Sequence, residues 1–223
     1  MTTAATTLAC IALGAAIGAL TPRLVHRVAA GSDEALEQPA WTLRATALVP
    51  LVGLGALVFA VSAARLGPHR ALVPALLLCA LLVGITAADL RYRIIPNRLV
   101  VPGLVAGYAL GVALQPDRYL ELLIATLAAG AFLLAAALLT RGGLGMGDVK
   151  LVAMLGAFLG KAVSVALLAG MLTSALPSLY LLARHGGAAR KMALPLGPFL
   201  ALGGVLAVWY GHDLLAWYWR QGR

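Results

Sequence analysis

Charge is what this chain has least of. Its 223 residues include 17 Lys or Arg and 8 Asp or Glu, 11% in all, whereas an ordinary soluble domain carries about 25%. Cysteine is nearly missing as well. Cys10 and Cys79 stand far apart in apolar runs, so neither a disulfide framework nor a CxxC zinc site is encoded. The histidines, His26, His69, His185 and His212, form no HExxH, which argues against a metalloprotease. No GxSxG serves a serine hydrolase of that type, and no GxxxxGK[ST] serves ATP. Repeats and low-complexity tracts are absent, and the longest polar stretch, 21–44, is too short for a soluble domain.

What remains is apolar. The chain is 62% hydrophobic, with a mean hydropathy of +0.95, and many runs approach the roughly 20 residues that span a bilayer. Backbone polar groups in lipid must pair within the protein, so an all-α, polytopic transmembrane helical bundle is expected. The runs predict helices at 4–20, 45–63, 71–89, 99–114, 119–140, 148–160, 162–183 and 194–217. That makes about eight helices, or seven if the short 148–160 segment is re-entrant; Lys161 separates it from the next. No Lys or Arg precedes the first run, so it is expected to be a retained helix rather than a secretory signal.

The formal net charge is +9. On a soluble protein that would suggest nucleic acid. Here the basic residues lie in short loops, and topology explains them, with the lipid bilayer as the partner and no nucleic acid. Arg23, Arg27, Arg44, Arg91, Arg93, Arg98, Arg141, Lys150, Arg184, Arg190 and Lys191 fall on one side; Arg65, Arg70, Arg118, Lys161, Arg220 and Arg223 fall on the other. The positive-inside rule puts the first set in the cytoplasm and both termini outside, giving a multi-pass protein of the inner (cytoplasmic) membrane. The C-terminal WYGHDLLAWYWR reads as an interfacial aromatic belt. Glycines four apart, at 14 and 18, at 103, 107 and 111, and at 156 and 160, suit close helix packing.

Six of the acidic residues are placed simply: Asp33, Glu34 and Glu37 in the first loop, Asp117 and Glu121 on the outer side, Asp213 in the aromatic segment. Asp89 and Asp148 differ. Both fall at helix ends on the predicted cytoplasmic side, and ionisable groups at membrane depth call for a function and a partner. Two such carboxylates facing each other suggest a dyad sharing one proton, one activating water and the other polarising a scissile carbonyl. Two helix-capping aspartates paired with nearby arginines explain the same positions. Gly145 and Gly147 flank Asp148 in GMGD; glycine permits positive φ and close backbone approach, as an extended peptide substrate would need. Asp148 begins a helix and Asp89 ends one, so helix dipoles favour the charge on Asp148 and the shared proton on Asp89, with the neighbouring arginines opposing.

Three stretches carry a resemblance. LGMGDVKLVAMLGAFLG resembles the GxGDxK segment of the type IV prepilin peptidases, GxGD aspartic membrane proteases. ADLRYRIIPNRLVVPG (88–103) is similar to the family's first-aspartate segment, and LPLGPFLALGG (194–204) to its late Pro-x-Gly-Pro-Phe segment. The resemblance covers about 71–217. It implies a membrane-embedded peptidase core at 71–223 behind N-terminal helices at 1–70, with Asp89 and Asp148 as the catalytic pair. It also implies cytoplasmic-face cleavage of leader peptides from prepilins or pseudopilins. Many members carry a larger first loop with zinc-binding CxxC pairs and N-methylate the new terminus with S-adenosylmethionine. Here the loop is a remnant without cysteine, so no cofactor is expected: zinc is argued against, and S-adenosylmethionine enters only if methylation is retained.

The remaining site candidates divide between chemistry and architecture. Lys150 either keeps Asp148 ionised or anchors the topology, and Arg91 and Arg93 read more simply as anchors. Pro96 and Asn97 suit a turn or helix start, and Pro195, Gly197 and Pro198 open the last helix; a site role for these five rests on the resemblance. Competing functions are a proton-coupled transporter using the same aspartates, a catalytically silent pilus or secretion assembly factor, and a presenilin-like protease, which shares GxGD but not the other segments.

Overall fold

The computed structural model describes residues 2–29, 45–139, 144–186 and 195–221. Eight α-helices lie within them: α1 (Thr2–Ala29), α2 (Ala45–Leu66), α3 (Leu72–Tyr92), α4 (Asn97–Leu114), α5 (Tyr119–Leu139), α6 (Met146–Leu159), α7 (Val163–His185) and α8 (Gly197–Gln221). Short 3-10 turns, Pro116–Arg118 and Gly160–Ala162, link α4 to α5 and α6 to α7. Among the described residues there is no strand, and the all-α bundle expected from the sequence is found. Seven stretches are long and apolar enough to cross a membrane, α6 and α7 counting together as Met146–His185. Asp33, Glu34, Glu37, Arg44, Arg141, Arg190, Lys191 and Arg223 lie outside the described residues.

The first helix runs nine residues past its expected end. Pro22 lies inside the longer helix, and proline is tolerated in a membrane helix when freed backbone groups find partners. Directly before Pro22, Thr21 Oγ1 donates to Ile17 O at 2.7 Å. The break between α6 and α7 falls where Lys161 marked it. Gly160 ends α6 with φ +57°, a conformation that a β-carbon resists.

At 1.5 Å per residue, the 14 residues of α6 reach about 21 Å, short of a hydrocarbon core of about 30 Å. The helix has no need to meet lipid on its own. Leu151, Val152, Met154, Leu155 and Ala157 are wholly buried, so α6 is the centre of the bundle. Small residues set its neighbours close. A β-carbon on Gly156 would lie 2.7 Å from Ala125 O of α5, and one on Gly103 would lie 2.7 Å from Met154 Sδ. The contacts Gly103–Met154 and Gly107–Phe158 run α4 parallel to α6, whereas Gly130–Ala153 and Gly156–Ala125 run α5 antiparallel to it. On the outside, Leu168, Leu172, Leu176 and Leu179 form an exposed stripe along α7, the face a bilayer would cover.

One buried polar link joins three helices: Trp209 Nε1 donates to Ser62 Oγ at 2.9 Å, and Ser62 Oγ lies 3.6 Å from Cys79 Sγ. Cys10 and Cys79 are both free. The alternation of directions gathers the end of α3 and the starts of α4, α6 and α8 at one end of the bundle. The 66–71, 115–118 and 160–162 links meet at the other.

Candidate active site

At the first of these ends, α3 stops at Tyr92. Arg93 caps it in the left-handed conformation, φ 54° and ψ 33°, donating its N–H to Asp89 O at 2.9 Å. It is the one positive-φ residue other than glycine among those described. The extended Pro96 then starts α4, accepting from the N–H groups of Leu99 and Val100. On the other wall, Gly145 is the extended N-cap of α6, and its carbonyl accepts from the Asp148 N–H at 3.1 Å.

These turns bring Asp89, in the last turn of α3, and Asp148, in the first turn of α6, onto one open pocket of about 430 Å³. The side chains are nearly covered, at 5% and 9% exposed. The start of α8 closes the back: the Gly197 N–H donates to Asp89 Oδ2 at 2.9 Å, and Pro195 and Leu196 line the pocket. Asp89 therefore ends its own helix but faces the N-terminus of another. Both carboxylates meet a helix N-terminus, so dipoles do not divide the proton between them as the sequence suggested.

The glycines do something other than expected. None of Gly145, Gly147 or Gly197 has positive φ. Each is small because the chain itself fills the space. A β-carbon on Gly147 would lie 2.8 Å from Ile95 Cβ, one on Gly145 would lie 3.1 Å from Asp148 Oδ2, and one on Gly197 would lie 2.6 Å from Asp89 Oδ2. These residues sit against the carboxylates and the 93–96 link, and Gly145 and Gly147 also line the pocket. Lys150 lines the same pocket, but its hydrogen bond, 3.0 Å from Nζ, goes to Asn97 Oδ1, tying the start of α6 to the start of α4.

Of the ten site candidates, Asp89, Asp148, Gly145, Gly147, Lys150, Asn97 and Pro195 line the pocket, and Gly197 touches it through Asp89. Pro96 and Pro198 stand at helix starts outside its lining. Arg93, Ile94, Ile95, Met146 and Leu196 line it without having been singled out as site residues. Their signal was the shortness of the links beside each aspartate. Among the described residues, no three His, Cys, Asp or Glu gather as a metal site. Two carboxyl groups on one open pocket can hold a water, one accepting its proton while the other donates to a substrate oxygen.

Comparison with known proteins points to one family. Residues 75–181 match the model of the type IV leader peptidase family. The chain is 32% identical over 164 residues to a Bacillus subtilis protein named prepilin leader peptidase/N-methyltransferase, an alignment covering 73% of this chain and 66% of the relative. An Aeromonas salmonicida protein of the same name is 35% identical over 182 residues, covering 78% and 62%. One from Myxococcus xanthus is 42% identical over 118 residues, covering 49% and 35%. The chain thus spans just under two thirds of the length of the first two relatives. No solved structure matches it.

Proposed function

This chain belongs to the type IV leader peptidase family through residues 75–181, and we propose that it is an integral-membrane aspartic endopeptidase that removes leader peptides from prepilins or pseudopilins. The observation that carries the proposal is the meeting of Asp89 and Asp148, from separate helices, on one open pocket. In this mechanism one carboxylate takes a proton from the bound water, whose oxygen attacks the scissile carbonyl. The other, protonated, donates to the carbonyl oxygen as the tetrahedral intermediate forms. The proton gained by the base then passes to the leaving amine as the C–N bond breaks, and one hydroxyl of the collapsing intermediate returns its proton to the other carboxylate. The peptidase core is 71–223. The basic bias at the aspartate end supports a cytoplasmic-facing site in the inner membrane.

We assign cleavage alone. The relatives' names include N-methyltransferase, but the 21–44 loop has no cysteine for the zinc-binding pairs that accompany it in many members. Neither zinc nor S-adenosylmethionine is required by the chemistry above. Transporter sites gather near the bilayer midplane, whereas these aspartates sit at helix ends, so no observation favours that alternative.

The test is co-expression of a prepilin with the wild-type chain and with Asp89→Asn or Asp148→Asn. Each substitution is expected to lower leader removal, read by mass spectrometry, by at least about a hundred-fold, the scale of acid–base catalysis. Cleavage that survives either substitution refutes the dyad.

A further inference from the structure

The opposite end of the bundle holds a second, two-part cavity. Its inner part, about 110 Å³, is a slot walled by apolar side chains from six helices, among them Leu66, Leu78, Leu114, Leu122, Phe158 and Val208. Its outer part, about 530 Å³, mixes the polar side chains of Arg118, Glu121, Lys161 and His212 with the apolar Leu215 and Trp219. Gln115, Arg118 and His212 border both, so the slot opens directly beneath the rim. An apolar slot under a cation-bearing rim matches a molecule with an apolar chain and an anionic head.

The depth of the rim points to the source of that molecule. Trp219 borders it and is more than half exposed, as are its chain neighbours Trp217 and Tyr218, and exposed Trp and Tyr gather where headgroups meet hydrocarbon. Arg118 is engaged by Glu121 and Gln115. Lys161 donates its backbone N–H to Glu121, and its ammonium, which also lies in the field of that carboxylate, borders the rim together with His212. Asp117 and Asp213 are nearby in sequence but do not border the rim.

We propose that this cavity is a phospholipid site. One acyl chain enters the slot between α3, α4, α6 and α8, and the phosphate rests against Lys161 and His212. The site is remote from the aspartates and stands whether or not the chain is a peptidase.

The test is photo-labelling of the purified, reconstituted chain. The probe is phosphatidylglycerol with a diazirine in its acyl chain, in phosphatidylcholine vesicles. Labels are expected to concentrate on the slot segments around Leu114–Leu122 and Phe158–Ala162 rather than on the exposed leucines of α7. Lys161→Glu should lower slot labelling roughly five-fold, the scale of one lysine's attraction to anionic lipid. Ala71→Trp, at the exposed edge of the slot, should block it by bulk; Lys161→Glu alone decides if that variant does not fold. Labelling spread evenly over the lipid-facing leucines overturns the proposal. So does slot labelling that inorganic phosphate abolishes, which would assign the rim to free phosphate.

Discussion

Glu121 and Asp89 are both carboxylates near helix ends of one bundle, but their surroundings are opposite. Glu121 accepts from Arg118 Nη2 at 2.9 Å, from Arg118 Nε at 3.3 Å and from the Lys161 N–H at 3.1 Å. Its charge is answered on the spot, and the result is a clasp between the starts of α5 and α7. Asp89 accepts a single backbone N–H, from Gly197, and turns its remaining capacity toward a pocket that holds a second carboxylate. A paired carboxylate is a structural element. One held by a backbone donor beside another carboxylate, with Arg93 on the same lining, keeps acceptor capacity open to the pocket, as the proposed dyad would need. The same sequence builds a closed electrostatic arrangement at one end and an open one at the other.

The contrast is broken most directly at Gly197. A β-carbon there would sit 2.6 Å from Asp89 Oδ2 and 3.0 Å from its Cγ, while the backbone lies outside the positive-φ region. Alanine therefore suits the helix but displaces the carboxyl. Gly197→Ala is expected to lower kcat for leader removal by about 10- to 100-fold, since a displacement near 1 Å can cost about a hundred-fold. The melting temperature in detergent should stay close to wild type. A variant that cleaves normally would mean the Gly197 contact is packing only.

The next test is smaller and lies on the same wall. Lys150→Met removes the bond to Asn97 and is expected to cost about 1 kcal/mol of stability. It should slow cleavage about three- to ten-fold, by loosening α6 against α4 and so the position of Asp148. Lys150→Arg, which keeps a donor, should recover most of both. If Lys150 acts only as a topology anchor, the arginine and methionine variants will cleave alike once correctly inserted.

How much of this was legible beforehand follows from the range of each interaction. Helix positions could be read because membrane spans are written locally, as apolar runs of set length. Gly160–Lys161 was visible as a break for the same reason. The end of α1 was misplaced: the helix continues past the apolar run and through Pro22, which a membrane helix can absorb. Asp89 and Asp148 stood out as charges in apolar sequence. Their shared pocket, the Gly197 donor and the Ile95 contact over Gly147 are juxtapositions of distant segments, and no local pattern encodes them. The glycines flanking Asp148 could be noticed in the sequence, but not that their φ is negative, nor that a β-carbon would meet Ile95 and the Asp148 carboxyl.

The smallest effect is expected at the closed end, and it completes the contrast. Glu121 and Arg118 are 25% and 28% exposed, so solvent screens part of their attraction. Such a pair contributes about 0.5–1 kcal/mol. Glu121→Gln keeps the side chain's shape and an oxygen that can still accept from the Lys161 N–H, but removes the charge that holds Arg118. Thermal unfolding in detergent should shift downward by about 1–4 °C for a chain of this size. Cleavage per folded molecule should follow the folded fraction, because the lost charge lies at the opposite end of α5 and α6 from Asp148. A large loss of cleavage in a folded Glu121→Gln protein would show that the two ends are coupled through α6, the one helix that carries Asp148 at its start and reaches the Glu121 clasp at its end.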